Sequence, residues 1–255
     1  MFIQENHTRR KLIAGQPAYG VLSTTADTQI AELFGLAGFD YYMLDAEHGL
    51  MDAAQVVDVI RICERLNMTP MIRIGSKDPK IVLQYLDAGM MGVMMPGLES
   101  VTEIRMLVDA VKYPPMGKRG MGITRASGYI GVGNAAADYI RFSNEETMVI
   151  PQFEDPALLE RFEEMISQPG VDAVVIGPRD LSLNMGFPDG PNHPEVQEMV
   201  DRVIAICRRK GVTAGITAGS RADAANQVAR GAKMILAIAQ FVIAAGSKEF
   251  LPASE

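Results

Sequence analysis

Cysteine and histidine are scarce in this 255-residue chain, with two of the first and three of the second. Cys63 and Cys207 lie far apart in helix-like segments, so they suggest no disulfide framework, and a reduced, cytoplasmic compartment is expected. Three histidines are few for a zinc site, which usually takes nitrogen or sulfur ligands. No Lys/Arg block is long enough to track a phosphate backbone, and the net charge is −7 with a pI near 5.1. Nucleic acid is therefore not an expected partner. No apolar run reaches the ~20 residues of a membrane span. Residues 1–15, MFIQENHTRRKLIAG, lack an apolar h-region, so no signal peptide is expected. No G-x-G-x-x-G follows the first predicted strand, which counts against a doubly wound open sheet, the runner-up architecture.

Apolar residues make up 48% of the chain, enough for a sizeable core, and they are arranged in a repeating rhythm. Short runs rich in β-branched residues alternate with segments of helical spacing. The strands expected are Ala18–Thr24, Asp40–Asp45, Thr69–Ile74, Met91–Pro96, Met148–Glu154, Val171–Gly177, Val212–Thr217 and Ala232–Ile238. Between them, Asp52 is placed to cap a helix running to about Asn67. Asp78–Pro79 opens another helix, with proline at its first position, and Gly89 stops it. Pro194–Arg209 is a strongly amphipathic helix. The rhythm breaks at Tyr113–Gly133, a stretch with six glycines that is functional or disordered at such a length. A short extra helix is expected over Asn134–Phe142. Eight strand-then-helix units predict a single-domain (β/α)8 TIM barrel spanning residues 1–255.

In such barrels the active site lies at the C-terminal face of the strands. The polar residues expected there are Asp45, Glu47 and His48 after the second strand and Arg73 on the third. The fifth strand contributes Gln152 and Glu154, and the sixth Arg179 and Asp180. No serine or cysteine has an obvious base partner, which counts against acyl transfer. No lysine stands at a strand's C-terminal end, which counts against a Schiff base; Lys233 begins its strand, on the wrong face. Carboxylates from two strands, Glu154 and Asp180, suit a hard divalent cation such as Mg²⁺, Mn²⁺ or Co²⁺. A 2-oxo acid could chelate such an ion, with Arg73 holding the developing oxyanion and His48 as general base. The expected chemistry is proton abstraction next to a carbonyl, or carbon–carbon cleavage to an enolate.

Simpler roles exist for each residue taken alone. His48 could satisfy a hydrogen bond beside a strand, and Arg73 could be half of a structural ion pair. Asp155 and Asp180 could cap the helices that follow them. The Met91–Met95 cluster reads as core filling. His7 reads as terminal and His193 as a loop residue before Pro194.

Five segments, taken in order, resemble the HpcH/HpaI aldolases, which are metal-dependent class II pyruvate aldolases. They are DAEHG (Asp45–Gly49), the strand MIRI with Arg73, YPPMGKRGMG (Tyr113–Gly122), PQFED (Pro151–Asp155) and GPRDLSLNMG (Gly177–Gly186). The resemblance implies that Glu154 and Asp180 hold the metal, that His48 is the base and that Arg73 stabilises the enolate. It implies that Asp87, a solvated helix end by its spacing, pairs with the histidine. It places Gln152 and the backbone N–H of residue 179 on the pyruvyl group, with arginine where relatives usually carry a small residue. The Gly120–Gly133 loop would shape the aldehyde side. Partners would be a small 2-oxo acid and an aldehyde. The assembly implied is a hexamer, a trimer of dimers exchanging the last helix. Alternatives are an acyl-CoA lyase or phosphoenolpyruvate-using enzyme, with Lys118 and Arg119 as phosphate ligands, or a non-catalytic metabolite binder.

Overall fold

Eight short strands pair in chain order, each parallel to the next, and the last pairs with the first. In the computed structural model, which describes residues 4–132, 135–188 and 190–252, the strands fall close to the expected positions. They are β1 (Ala18–Ser23), β2 (Tyr41–Asp45), β3 (Thr69–Arg73), β4 (Gly92–Met95), β5 (Met148–Phe153), β6 (Ala173–Ile176), β7 (Thr213–Thr217) and β8 (Met234–Ile238). The helices α1 (His7–Ile13), α2 (Thr28–Leu36), α3 (Val57–Arg65), α4 (Pro79–Ala88) and α5 (Val101–Val111) belong to the first half. The second half holds α6 (Ala136–Glu146), α7 (Leu159–Ile166), α8 (Pro178–Asn184), α9 (Pro194–Lys210), α10 (Arg221–Arg230) and α11 (Ala239–Phe250). Closure of the sheet excludes the doubly wound alternative.

Local chemistry sets most helix ends. Asp27 accepts from the Gln29 and Ile30 N–H groups at the start of α2, and Asp78 accepts from Lys80 N–H ahead of Pro79. Gly89 ends α4 at φ +123°, a conformation that side chains oppose. Asp52 does not cap α3. Its carboxylate accepts from Ala54 and Gln55, closing a separate turn, and α3 starts only at Val57. The extra helix before β5 starts at Ala136, and Asn134 lies outside the described residues. Helices α1 and α8, each seven residues long, were not expected.

Two apolar layers hold the barrel. The larger lies between strands and helices, and Met95 belongs to it. The smaller fills the lumen with Leu22, Tyr41, Met43, Met71, Met94, Met148, Ile150, Val175, Met234 and Leu236. Side chains two apart share a strand face. Tyr41, Met43 and Asp45 therefore share one face of β2, Met71 and Arg73 one face of β3, and Ile150 and Gln152 one face of β5. The lumen is thus apolar below and turns polar at the C-terminal rim. Its width depends on Gly20, where a Cβ would sit 2.1 Å from the Tyr41 ring. That ring lies over Gly20 of β1 and reaches β8, where its hydroxyl donates to the Ile235 carbonyl at 2.8 Å.

The N-terminal end is closed by α1, which contributes Leu12 to the lumen cluster. Asn6, fully buried, ties it down. The Asn6 Nδ2 donates to the carbonyls of Glu146 (2.8 Å) and Met91 (3.2 Å), and its Oδ1 accepts from Arg9 N–H and the Thr69 hydroxyl. These partners sit at the starts of β3, β4 and β5, which places the plug opposite the predicted site. Replacing Asn6 by alanine removes a cap and strands the Glu146 carbonyl, while the Met91 carbonyl keeps Met148 N–H, so we expect a loss of about 2–3 kcal/mol in urea unfolding. A loss below about 0.5 kcal/mol would contradict this anchoring role.

Candidate active site

Asp45 and Arg73 are register partners at the ends of β2 and β3, on the lumen side. Both are buried, at 1% and 8% exposure. Arg73 meets Asp45 in a two-point contact, Nε to Oδ1 at 2.9 Å and Nη2 to Oδ2 at 2.6 Å. Burial alone would lower the arginine pKa, but the carboxylates of Asp45, Glu47 and Asp180, Asp45 foremost, together hold it above its ordinary value. The guanidinium therefore stays charged and is oriented in a fixed plane. Asp45 Oδ1 also accepts from the N–H groups of Glu47 (3.1 Å) and His48 (3.4 Å), so the segment after β2 folds back around its own aspartate.

That turn presents Glu47 and His48. The Glu47 carboxylate lies 3.3 Å from Arg73 Nε and 3.8 Å from His48 Nε2. The His48 side chain is 62% exposed. It has only this carboxylate beside it among the described residues, so the imidazole is not consumed by a structural hydrogen bond.

Across the rim, β5 delivers Gln152 and Glu154. Gln152 Nε2 donates to Glu154 Oε2 at 2.6 Å, and Gly97 N–H donates to Glu154 Oε1 at 2.9 Å. The pKa of Glu154 is raised, first by burial and then by the carboxylates of Asp180 and Glu47; the Gly97 and Gln152 donors oppose the shift. Asp180 stands in the first turn of α8 and is not its cap, whereas Asp155 does cap, accepting from Ala157 N–H at 2.9 Å. At Gly177, which leads into α8, a Cβ would come within 2.6 Å of Gln152 Nε2, so only glycine leaves that amide its place.

A cavity of about 470 Å³ opens at this rim and is lined by Asp45, His48, Arg73, Gln152, Arg179 and Asp180, among others. No lysine, serine or cysteine lines it among the described residues. Among the described residues, no group of three or more His, Cys, Asp or Glu side chains could cage a metal unaided. Glu154 and Asp180 instead fit an open-sided site, in which water or substrate fills the remaining positions. Three mutually repelling carboxylates face an arginine already paired with a fourth, a set that a hard divalent cation would relieve. Gln152 Oε1, buried without a partner, is a further acceptor on the lining.

A model of the HpcH/HpaI aldolase/citrate lyase family matches residues 19–242. The chain belongs to that family. It is 35% identical over 217 residues to a hydroxypyruvate/pyruvate aldolase of Sagittula stellata, covering 85% of this chain and 84% of that one. It is 31% identical over 254 residues to a pyruvate aldolase of Rhizobium etli, covering 99% and 98%. The crystal structure of an HpcH/HpaI aldolase from Desulfitobacterium hafniense superposes with a TM-score of 0.87 at 30% identity, covering 97% of this chain and 98% of that one.

Two expectations carried by the family resemblance are not met within one chain. Asp87, in the last turn of α4, lies toward the opposite end of the barrel and pairs with Arg119 at 2.9 Å instead of meeting His48. The loop after α5 does not line the mouth cavity. Its Arg125 pairs with Glu64 of α3, and its Ala126 N–H donates to the Asp87 carbonyl; Gly133 lies outside the described residues. Lys118 pairs with Asp109, and neither it nor Arg119 lines the mouth cavity, so they build no phosphate cradle there. Cys63 and Cys207 are buried free thiols. His193 caps α9 through Nδ1 and stacks on Phe187, and among the described residues no helix is long and apolar enough to cross a membrane.

Sequence reasoning placed Asp45 and Glu47 at the rim without giving them roles. The signal available was parity: Asp45 follows Tyr41 and Met43 on the lumen face of β2. Arg73→Ala leaves the buried Asp45 carboxylate unpaired, and we expect it to cost about 3 kcal/mol in chemical denaturation, whereas Asp45→Asn/Arg73→Met should recover part of that. Equal losses in the single and double variants would contradict the pairing argument. Glu154→Gln removes a carboxylate held against its neighbours' charge. In metal-free protein the raised pKa means Glu154 lowers stability as pH rises above its unfolded-state range, so the variant should melt higher than wild type at neutral pH. A lower melting temperature for the variant would contradict this.

Proposed function

We propose that this protein is a divalent-metal-dependent class II aldolase. It would reversibly cleave a 4-hydroxy-2-oxo acid to an aldehyde and pyruvate, or a close 2-oxo acid such as hydroxypyruvate. One observation carries the reading: a fixed guanidinium, an imidazole free of structural bonds and the Glu154/Asp180 carboxylates share one barrel mouth that, among the described residues, no lysine, serine or cysteine lines. The names of the relatives from Sagittula stellata and Rhizobium etli support the same donor.

Glu154 and Asp180 would hold Mg²⁺, Mn²⁺ or Co²⁺, which when bound supplies Lewis acidity to the 2-oxo group. Arg73, kept charged and planar by Asp45, would direct its remaining donor edge at the oxygen on which charge grows as the carbon–carbon bond breaks. His48 would take the 4-hydroxyl proton in cleavage, and the same proton can return to the enolate carbon. Gln152 and the residue-179 backbone would flank the pyruvyl carboxylate. Glu47 stands beside the imidazole in the same chain, its carboxylate 3.8 Å from Nε2.

A homo-oligomer, a hexamer built as a trimer of dimers, fits this reading. Phe241, Val242, Ile243 and Phe250 of α11 are exposed, as are Met121, Ile123, Tyr129 and Val132 of the long loop. An exchanged α11 and a loop docked on a neighbour would cover both sets. Asp87 could support His48 only from a second copy. The experiment is release of pyruvate from a 4-hydroxy-2-oxo acid with Mn²⁺ or Mg²⁺. His48→Ala should lower kcat roughly 10²- to 10⁴-fold with an unchanged melting temperature, and wild-type turnover in that variant would remove His48 from the chemistry. Glu154→Ala should weaken metal binding by more than the roughly 10- to 100-fold typical of losing an outer-shell partner, and unchanged affinity by titration would remove it from the coordination sphere.

A further inference from the structure

Two guanidinium groups line the mouth cavity, and they are in opposite situations. Arg73 is buried and bound at two points to Asp45. Arg179 is exposed on the cavity lining, and its side chain has no hydrogen-bond or ion-pair partner among the described residues. Only its backbone is engaged, the carbonyl accepting from the Ser182 hydroxyl at 2.7 Å. Asp180 adjoins it in sequence but, as the next residue of a helix, points about 100° away around the axis and is not its partner.

That side of the cavity holds no second Lys or Arg among the described residues. Asp223 is the carboxylate of that wall, and its oxygens are oriented by Gly219 N–H (2.9 Å) and Gln227 Nε2 (3.0 Å). Thr24, Asn192, Thr217 and Gln240 are neutral. Gln240 Oε1 is a buried acceptor without a partner, so this wall can also receive a donor such as a hydroxyl group. Arg179 is therefore the uncommitted cation of the cavity. With the pyruvyl end of the substrate placed against Arg73, Gln152 and the metal carboxylates, the aldehyde-derived end is the part left to meet it.

We propose that Arg179 selects acceptor aldehydes that carry an anionic group, a carboxylate or a phosphate, in preference to neutral aldehydes of the same length. The inference rests on the aldolase reading above and narrows its substrate class. A planar guanidinium can grip either oxyanion at two points, and in a protein of net charge −7 a local cation offsets repulsion of an anionic substrate.

The test is aldol addition of pyruvate with Mn²⁺ to two matched pairs, succinic semialdehyde against butanal and glyceraldehyde 3-phosphate against glyceraldehyde. The readout is the ratio of kcat/KM within each pair, which a purely structural role for Arg179 would leave unmoved. We expect the wild type to favour the anionic member of at least one pair by about tenfold or more, the scale of a charge-assisted hydrogen bond. Which pair responds tells carboxylate from phosphate. Arg179→Gln should bring the ratio close to one, Arg179→Lys should keep part of it, and Arg179→Glu should invert it. Turnover with ratios near one in the wild type, or a preference that survives in Arg179→Gln, overturns this proposal alone. Turnover with none of the four aldehydes and any divalent metal overturns the aldolase reading and this proposal with it.

Discussion

The Asp45 carboxylate is the point on which the site turns. It is almost wholly buried, grips Arg73 at two points and accepts the backbone N–H groups of Glu47 and His48. A carboxylate taken out of water is costly unless its oxygens are all occupied. Here four donors occupy them, and each is thereby located. One aspartate thus fixes the plane of the guanidinium and the path of the turn that carries the imidazole. It can do so because β2 and β3 are parallel neighbours in a register that sets residue 45 beside residue 73.

The opposite wall obeys a different constraint. Glu154 is half-buried near Asp180 and Glu47, and its neighbouring carboxylates oppose its ionisation. Its two hydrogen bonds, from Gly97 and Gln152, orient the carboxylate without neutralising it. A protein that wanted only stability would place a cation or an amide there. Holding negative charge in reserve is consistent with a site completed by a metal and a substrate, above an apolar lumen of Tyr41 and the methionines.

Much of this was legible in the sequence. The strands announce themselves as β-branched or methionine-rich runs ending in polar residues, and closure follows from eight repeats without a dinucleotide motif. Asp78–Pro79 and Gly89 bound α4 as their chemistry dictates. What was not legible depended on distance in the chain or on short elements. The α1 plug is seven residues long, and its Asn6 cap works through carbonyls of Met91 and Glu146, which no local pattern reveals. Asp45 looked like one more polar strand end because its partner is 28 residues away. Asp87 and the glycine-rich loop sit away from the mouth of their own barrel, paired instead with Arg119 and with Glu64 of α3.

The central claim is that this rim generates an enolate from a 2-oxo acid, and it can be tested without knowing the aldehyde. The measurement is exchange of the pyruvate methyl protons for deuterium in D₂O, followed by NMR, with metal-stripped protein and again after adding Mg²⁺, Mn²⁺ or Co²⁺. The account predicts exchange that starts only with metal and is lost in Arg73→Lys, since a lysine cannot reproduce the two-point contact with Asp45 while presenting a donor to the enolate. Absence of exchange with every metal, or exchange that persists in the metal-stripped protein, would contradict it.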